Sequence, residues 1–225
     1  MKINVLYEDN HLIAVYKPAG ILVQGDKSGD ISLMDEVKKY LKERYKKPGN
    51  VFLGLLHRLD RPVSGIVLFA KTSKGASRLS EQFRKHLVEK IYHAIVFGKP
   101  KQNRGALVNY IEKDKKTKKA IVKQNKKAKK AELYYEVVTS NKKYSLLKIL
   151  IKTGRFHQIR AQLAAMGCPV LGDVKYGAAV CFPDKSIALC ATSFSFCLAT
   201  KQQIKKISIP FPSDWNNYLR FGKVT

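Results

Sequence analysis

Two apolar runs, Val51-Phe-Leu-Gly-Leu-Leu56 and Ile66-Val-Leu-Phe-Ala70, enclose the polar block His57-Arg58-Leu59-Asp60-Arg61-Pro62-Val63-Ser64-Gly65. Short runs this rich in aliphatic and aromatic residues predict buried strands, so the block is expected to be a loop held rigidly at both ends. It sets one carboxylate, Asp60, among three cationic or potentially cationic side chains. Guanidinium neighbours stabilise a carboxylate's charge, and a charged carboxylate suits a nucleophile or an electrostatic stabiliser better than a proton donor.

The rest of the chain predicts a mixture of strands with few helices. Residues 4–16 and Ile21-Leu-Val23 read as short strands joined through Lys17-Pro-Ala-Gly20. Ser32 with Asp35 predicts a capped helix start, followed by Leu33, Val37, Tyr40 and Leu41 at helical spacing. A second helix is predicted after Thr72-Ser73, with Ala76, Leu79, Phe83 and Leu87 on one face. Residues 91–96, 131–138 and 144–151 are β-branched and aromatic enough to predict strands. A third helix starts near 154–156, uses Ile159, Leu163 and Met166 as its stripe, and stops at Gly167. This pattern argues for α+β, not a regular βαβ series.

With 225 residues, the chain is expected to form a single domain over 1–225. Its 43 Lys and Arg against 17 Asp and Glu give a formal net charge of +26, which points to a polyanionic partner. Residues 113–130 hold ten lysines and one acid. Because Ala120-Ile-Val122 interrupts that run, it predicts two strand edges joined by a basic turn near Gln124-Asn125. Lys115, Lys116, Lys118, Lys119, Lys126 and Lys127 are the candidate phosphate contacts.

The N-terminus lacks a signal peptide's apolar core, and no apolar run approaches the roughly 20 residues of a membrane helix. A cytoplasmic protein without a membrane partner is expected. Cys168, Cys181, Cys190 and Cys197 lack Cys-x-x-Cys spacing and predict neither a zinc site nor a disulfide framework, but small buried groups. Two further patterns mislead. Gly65-Ile-Val-Leu-Phe-Ala-Lys71-Thr72 imitates a phosphate loop, but its middle is a buried strand. His57, Asp60 and Ser64 suggest a hydrolase triad, but Pro62 stands where a nucleophile elbow needs glycine.

The block 57–65 resembles the centre of the RluA-type pseudouridine synthase family, His-Arg-Leu-Asp, two variable residues, then Thr/Val-Ser-Gly. The similarity continues in Glu8-Asp9-Asn10-His11-Leu12 with Lys17-Pro18-Ala19-Gly20, in Glu89-Lys90-Ile91-Tyr92-His93-Ala94, and in Thr153-Gly154-Arg155-Phe156-His157-Gln158-Ile159-Arg160 with Gly172-Asp173-Val174-Lys175-Tyr176-Gly177. The resemblance implies a long mixed, largely antiparallel, bent sheet with flanking helices and a central catalytic cleft. It also implies a catalytic domain without the N-terminal accessory RNA-binding domain of many relatives. The family often has His where Gln162 stands and Leu-His-Ala at 189–191, departures that bear on the subgroup and so on the RNA.

Carried over residue by residue, the resemblance makes Asp60 the catalytic aspartate, Arg160 the arginine that pairs with it, and Tyr92 the tyrosine that contacts the flipped base. Because a phenol loses its proton only at about pH 10, hydrogen bonding and stacking are better founded for Tyr92 than general-base action. Ile159 corresponds to the apolar cover of the base, and Arg58 to a residue that fills the gap the base leaves. His57 and Arg155 join them as substrate-binding residues. The implied reaction turns uridine in a tRNA or rRNA stem-loop into pseudouridine, with neither cofactor nor metal, by a monomer. The competing reading is an RNA-binding or RNA-folding protein on the same scaffold. A module for binding alone has no need of Asp60, Tyr92 and Arg160 together.

Overall fold

The structure is a computed structural model and describes residues 2–123 and 128–219. In chain order these form β1 (Val5–Glu8), β2 (Leu12–Lys17), α1 (Leu33–Arg44), β3 (Gly54–Leu55), β4 (Ser64–Ala70), α2 (Ser73–Arg84), β5 (Glu89–Phe97), β6 (Arg104–Lys113), β7 (Ala120–Lys123), β8 (Lys129–Ser140), β9 (Tyr144–Ile151), α3 (Gln158–Ala165), β10 (Leu189–Cys197), β11 (Ile204–Ser208) and α4 (Asn216–Leu219). The fold is α+β, as the pattern predicts. The residues group into two compact units, one of residues up to 89 with Ser193–Ile209, the other of 90–192 with those from 210 onward.

In the first unit β1 pairs with β2, and β2 with β4, all antiparallel. Asp9 makes the first turn: its Oδ1 accepts from the amides of His11 and Leu12, both at 2.7 Å. All seven residues of β4 are buried, which is what a run of Ile, Val, Leu and Phe achieves as an inner strand. The two strands pair from Leu12 with Ala70 to Lys17 with Gly65, so the ends of β2 and β4 bring Lys17 beside the 57–63 loop. Helix α1 begins with the expected capping box, Ser32 and Asp35 reciprocally bonded, and buries Leu33, Val37 and Leu41. Helix α2 is capped by Thr72 and buries Leu79.

In the second unit β5, β9, β8, β6 and β7 follow one another, each antiparallel to its neighbour. Helix α3 packs against β6 and β7. It starts from His157 in the left-handed conformation, φ 49°, and ends before Gly167, φ 83°.

Five expectations need correction. Ile21–Val23 is not a strand, because the carbonyls of Leu22 and Val23 accept the amides of Leu33 and Met34 at the start of α1. Leu87 lies beyond the end of α2 and is 65% exposed. Residues 51–56 contribute only the two-residue strand β3, with Phe52 exposed. The lysine-rich run is not a hairpin of 120–123 with 131–138: β7 and β8 lie on opposite sides of β6, and among the described residues a basic, largely exposed turn at 114–119 joins β6 to β7. The expected turn at Gln124-Asn125, with Lys126 and Lys127, lies outside the described residues. Of the cysteines, Cys168 and Cys190 are buried as expected, whereas Cys181 is exposed and Cys197 half-buried.

Candidate active site

The first unit carries Asp60 on a loop fastened to the Lys17-Pro-Ala-Gly20 turn. The Lys17 side chain is fully buried, at 0% exposure. Its Nζ donates to the carbonyls of Pro18 at 3.0 Å, Ile21 at 2.8 Å and Arg61 at 3.1 Å. Three acceptors match the three N–H groups of an ammonium. The Gly20 amide also donates to the Arg61 carbonyl at 2.8 Å, and Gly20, at φ 87°, turns the chain back in a conformation other residues resist. Within the loop Val63 N–H donates to the Asp60 carbonyl at 3.0 Å. Burial pulls the Lys17 ammonium down to about 7; the Asp60 carboxylate opposes this and the Arg61 guanidinium adds to it. Asp60 therefore lies within electrostatic reach of a buried cation, a role for Lys17 that its sequence block does not disclose.

The neighbouring block residues have other work. Arg61 donates through Nε to the Gly20 carbonyl at 2.9 Å and through Nη1 to Asp30 at 2.8 Å. His57 Nε2 accepts the Leu68 amide at 3.0 Å, and its ring packs on Phe83 and Phe194 with centroids at 5.5 and 4.6 Å. That places His57 as a support between the loop and β4. Arg58 is exposed.

The second unit carries Tyr92, buried on β5 opposite Ile149, and both Ile159 and Arg160, buried on the first turns of α3. Arg160 donates through Nε to Asp173 Oδ2 at 2.7 Å and through Nη2 to Oδ1 at 2.9 Å, and the two side chains are 5% and 1% exposed. Asp173 follows Gly172, where a Cβ would come within 2.8 Å of the Ser186 carbonyl at φ 89°, so the glycine of that sequence block is a steric requirement. The Arg160 guanidinium lies 5.0 Å over the Tyr176 ring. Tyr176 Oη accepts the Ala120 amide at 2.7 Å and meets His157 Nδ1 at 2.8 Å. The tyrosine thereby ties β7 to the start of α3, a link that spacing alone does not disclose.

Arg155 donates through Nε to the Lys130 carbonyl at 2.9 Å and so lies along β8. Gln162, at the position where the resembled family often has His, donates from Nε2 to the Leu107 carbonyl at 3.0 Å and to Asn109 Oδ1 at 2.8 Å, as a strut from α3 to β6. In the 114–119 turn, Asp114 accepts from Lys116 N–H and Thr117 Oγ1, which leaves Lys115, Lys116 and Lys118 exposed and Lys119 half-exposed. Among the described residues no three His, Cys, Asp or Glu side chains are grouped as a metal would need, and no helix is long and apolar enough to cross a membrane.

A family model described as RNA pseudouridylate synthase matches residues 11–165, a span that includes Asp60, Tyr92 and Arg160. The chain belongs to the RNA pseudouridylate synthase family. Within that family it is similar to the ribosomal large subunit pseudouridine synthase C of Rickettsia felis, with 36% identity over 208 residues, 91% of this chain and 66% of the relative. The tRNA pseudouridine synthase C of Haemophilus ducreyi is also 36% identical, over 197 residues, 79% of this chain and 75% of the relative. The chain spans 56% of the Rickettsia conorii relative and 66% of that from Rickettsia felis. Among solved structures, human RNA Pseudouridylate Synthase Domain Containing 4 superposes with a TM-score of 0.78 and 23% identity, over 96% of this chain and 91% of that one. That likeness shows the pseudouridine synthase fold.

Proposed function

We propose that the chain isomerises a uridine of rRNA or tRNA to pseudouridine. The bond from C1′ to N1 breaks, the freed uracil turns over, and C1′ joins C5; N1 gains a proton and the hydrogen on C5 leaves as a proton. Redox state is unchanged and no group is imported, so the chemistry calls for neither cofactor nor metal. In this reading Asp60 attacks or stabilises the sugar, and Arg160 stabilises the aspartate's charge. Tyr92 and Ile159 hold a base taken out of its stack. The lysines of 115–119 lie along phosphates. A short stem-loop bound by a monomer in the cytoplasm completes the proposal.

The observation that carries it is the single family match running from 11 to 165, which takes in Asp60, Tyr92 and Arg160 together. The Lys17 clamp supports it, because an immobilised loop is what a reacting carboxylate needs. Chemical mapping of pseudouridine in RNA from cells with and without the gene tests it. At least one site should vanish on deletion and return with the wild-type gene. An unchanged map would leave an RNA-binding protein on this scaffold as the reading.

A further inference from the structure

At the end of α1 the chain reads Lys38-Lys39-Tyr40-Leu41-Lys42-Glu43-Arg44-Tyr45-Lys46-Lys47, six cations against one acid. Residues 42–47 are all exposed. Tyr45 stands in the middle of this surface with 45% of its area in water, and it is held from behind by its hydroxyl. The hydroxyl donates to Glu8 Oε1 at 2.7 Å and accepts from Lys71 Nζ at 3.1 Å. Glu8 and Lys71 are themselves paired at 2.6 Å, with side chains 9% and 11% exposed, and Lys71 is fixed further by the Asp9 carbonyl at 2.8 Å. The Lys71 Nζ also lies 4.7 Å from the Tyr45 ring centroid. Arg44 and Lys47 reach the ring at 5.9 and 6.0 Å, the outer limit of cation–π contact, from exposed positions.

The helix does not need this arrangement for its packing, since Leu33, Val37 and Leu41 provide its buried face. An aromatic ring that is anchored at its hydroxyl, open to solvent and ringed by cations combines the two elements of single-strand recognition, a stacking platform and phosphate contacts. A ring already immobilised loses little freedom when a base covers it.

We propose that Tyr45, with Arg44, Lys46 and Lys47, is an accessory nucleotide-binding subsite on which one unpaired base of the RNA stacks while the cations hold the flanking phosphates. This rests on the reading of the chain as an RNA-acting protein. The occupant is RNA because the surface offers both a stacking face and positive charge; an acidic protein would use the charge and not the ring.

The probes are a 12-nucleotide oligouridylate and an abasic ribose-phosphate oligomer of the same length, titrated into the full chain. Tyr45→Ala should weaken oligouridylate binding by about tenfold, within the range of one base–aromatic stack, and change abasic binding less than about twofold. Tyr45→Phe keeps the ring and should stay within about threefold of wild type. Arg44→Gln with Lys47→Gln leaves the Glu8 anchor in place and should weaken both probes alike. Wild-type protein should also crosslink through Tyr45 to 5-iodouridine in the oligomer under ultraviolet light. In Tyr45→Ala, unchanged oligouridylate affinity or equal losses on both probes would overturn the subsite, as would a wild-type crosslink elsewhere. Equal losses would also leave the charge to a non-nucleic anion such as an acidic protein. The readout is affinity, so a failure to find pseudouridine would sink the functional reading and leave this comparison standing.

Discussion

The loop that carries Asp60 and the turn at 114–119 are both polar segments beside strands, and they are built in opposite ways. Lys17 reaches into the first from a neighbouring strand and spans three carbonyls with a fully buried ammonium. The second is organised by Asp114 from within, and its lysines point into water. A buried cation with every N–H satisfied is a costly arrangement that fixes backbone, whereas exposed lysines fix little and act at a distance. The contrast agrees with the proposed division, chemistry at the first segment and RNA binding at the second. Substitutions in and around both segments test that division.

Asp60→Asn should break it most visibly: turnover should be abolished while RNA affinity changes by less than about tenfold, since one neutralised carboxylate among many cations removes chemistry and little binding. Full turnover in this variant would end Asp60's role. Arg160 ranks next. Arg160→Lys keeps the charge but not the planar fork on Asp173, and should lower turnover by about a hundredfold or more. Arg160→Ala leaves Asp173 buried without its partner and should cost about 3–5 kcal/mol of stability by urea titration. Normal rates and stability would return Arg160 to a passive role.

Much of what positions these residues is legible in the sequence. Ser32 and Asp35 announce their capping box, Thr72 its helix, and 91–96, 131–138 and 144–151 their strands, because caps and β-branched runs act over a few residues. Strand β6 is not legible, since Arg104–Lys113 buries only Ile111 and its apolar residues, Ala106-Leu107-Val108 and Tyr110-Ile111, do not alternate with polar ones in the sequence. Without it β7 is matched to the wrong partner, because that pairing is set by long-range register. Asp60, Tyr92 and Arg160 enter the proposed function from the blocks they occupy. The clamp made by Lys17 cannot be read from its block, because its three acceptors come from residues 18, 21 and 61. Tyr176 is hidden for the same reason: its bond to Ala120 crosses 56 residues.

A smaller effect follows from Lys17. Its folded value of about 7 lies below the ordinary 10.5, so between those values the unfolded chain binds the proton that the folded chain has released. Stability from this group therefore rises with pH across that window and is least below pH 7. Lys17→Met removes the titration and the three carbonyl bonds. The melting temperature of wild type relative to Lys17→Met should climb from pH 7 to pH 10, and a flat difference would show that the folded chain keeps this proton and would refute the lowered value of the buried amine.

The mildest change is expected at the turn. Replacing Lys115, Lys116, Lys118 and Lys119 by glutamine should shallow the slope of log affinity against log salt by roughly 0.7 to 0.9 for each phosphate no longer neutralised. Turnover at saturating RNA should hardly move, because these side chains act on binding and not on the transition state. An unchanged slope would make the turn a solvated surface.

The central claim meets its most direct test in tritium release from [5-³H]uridine-labelled rRNA and tRNA by the purified chain in excess chelator. Isomerisation at C5 must expel that hydrogen, so one tritium should be lost for each pseudouridine formed, and Asp60→Asn should lose none. RNA that binds tightly to the wild-type chain and keeps all its tritium would contradict the account.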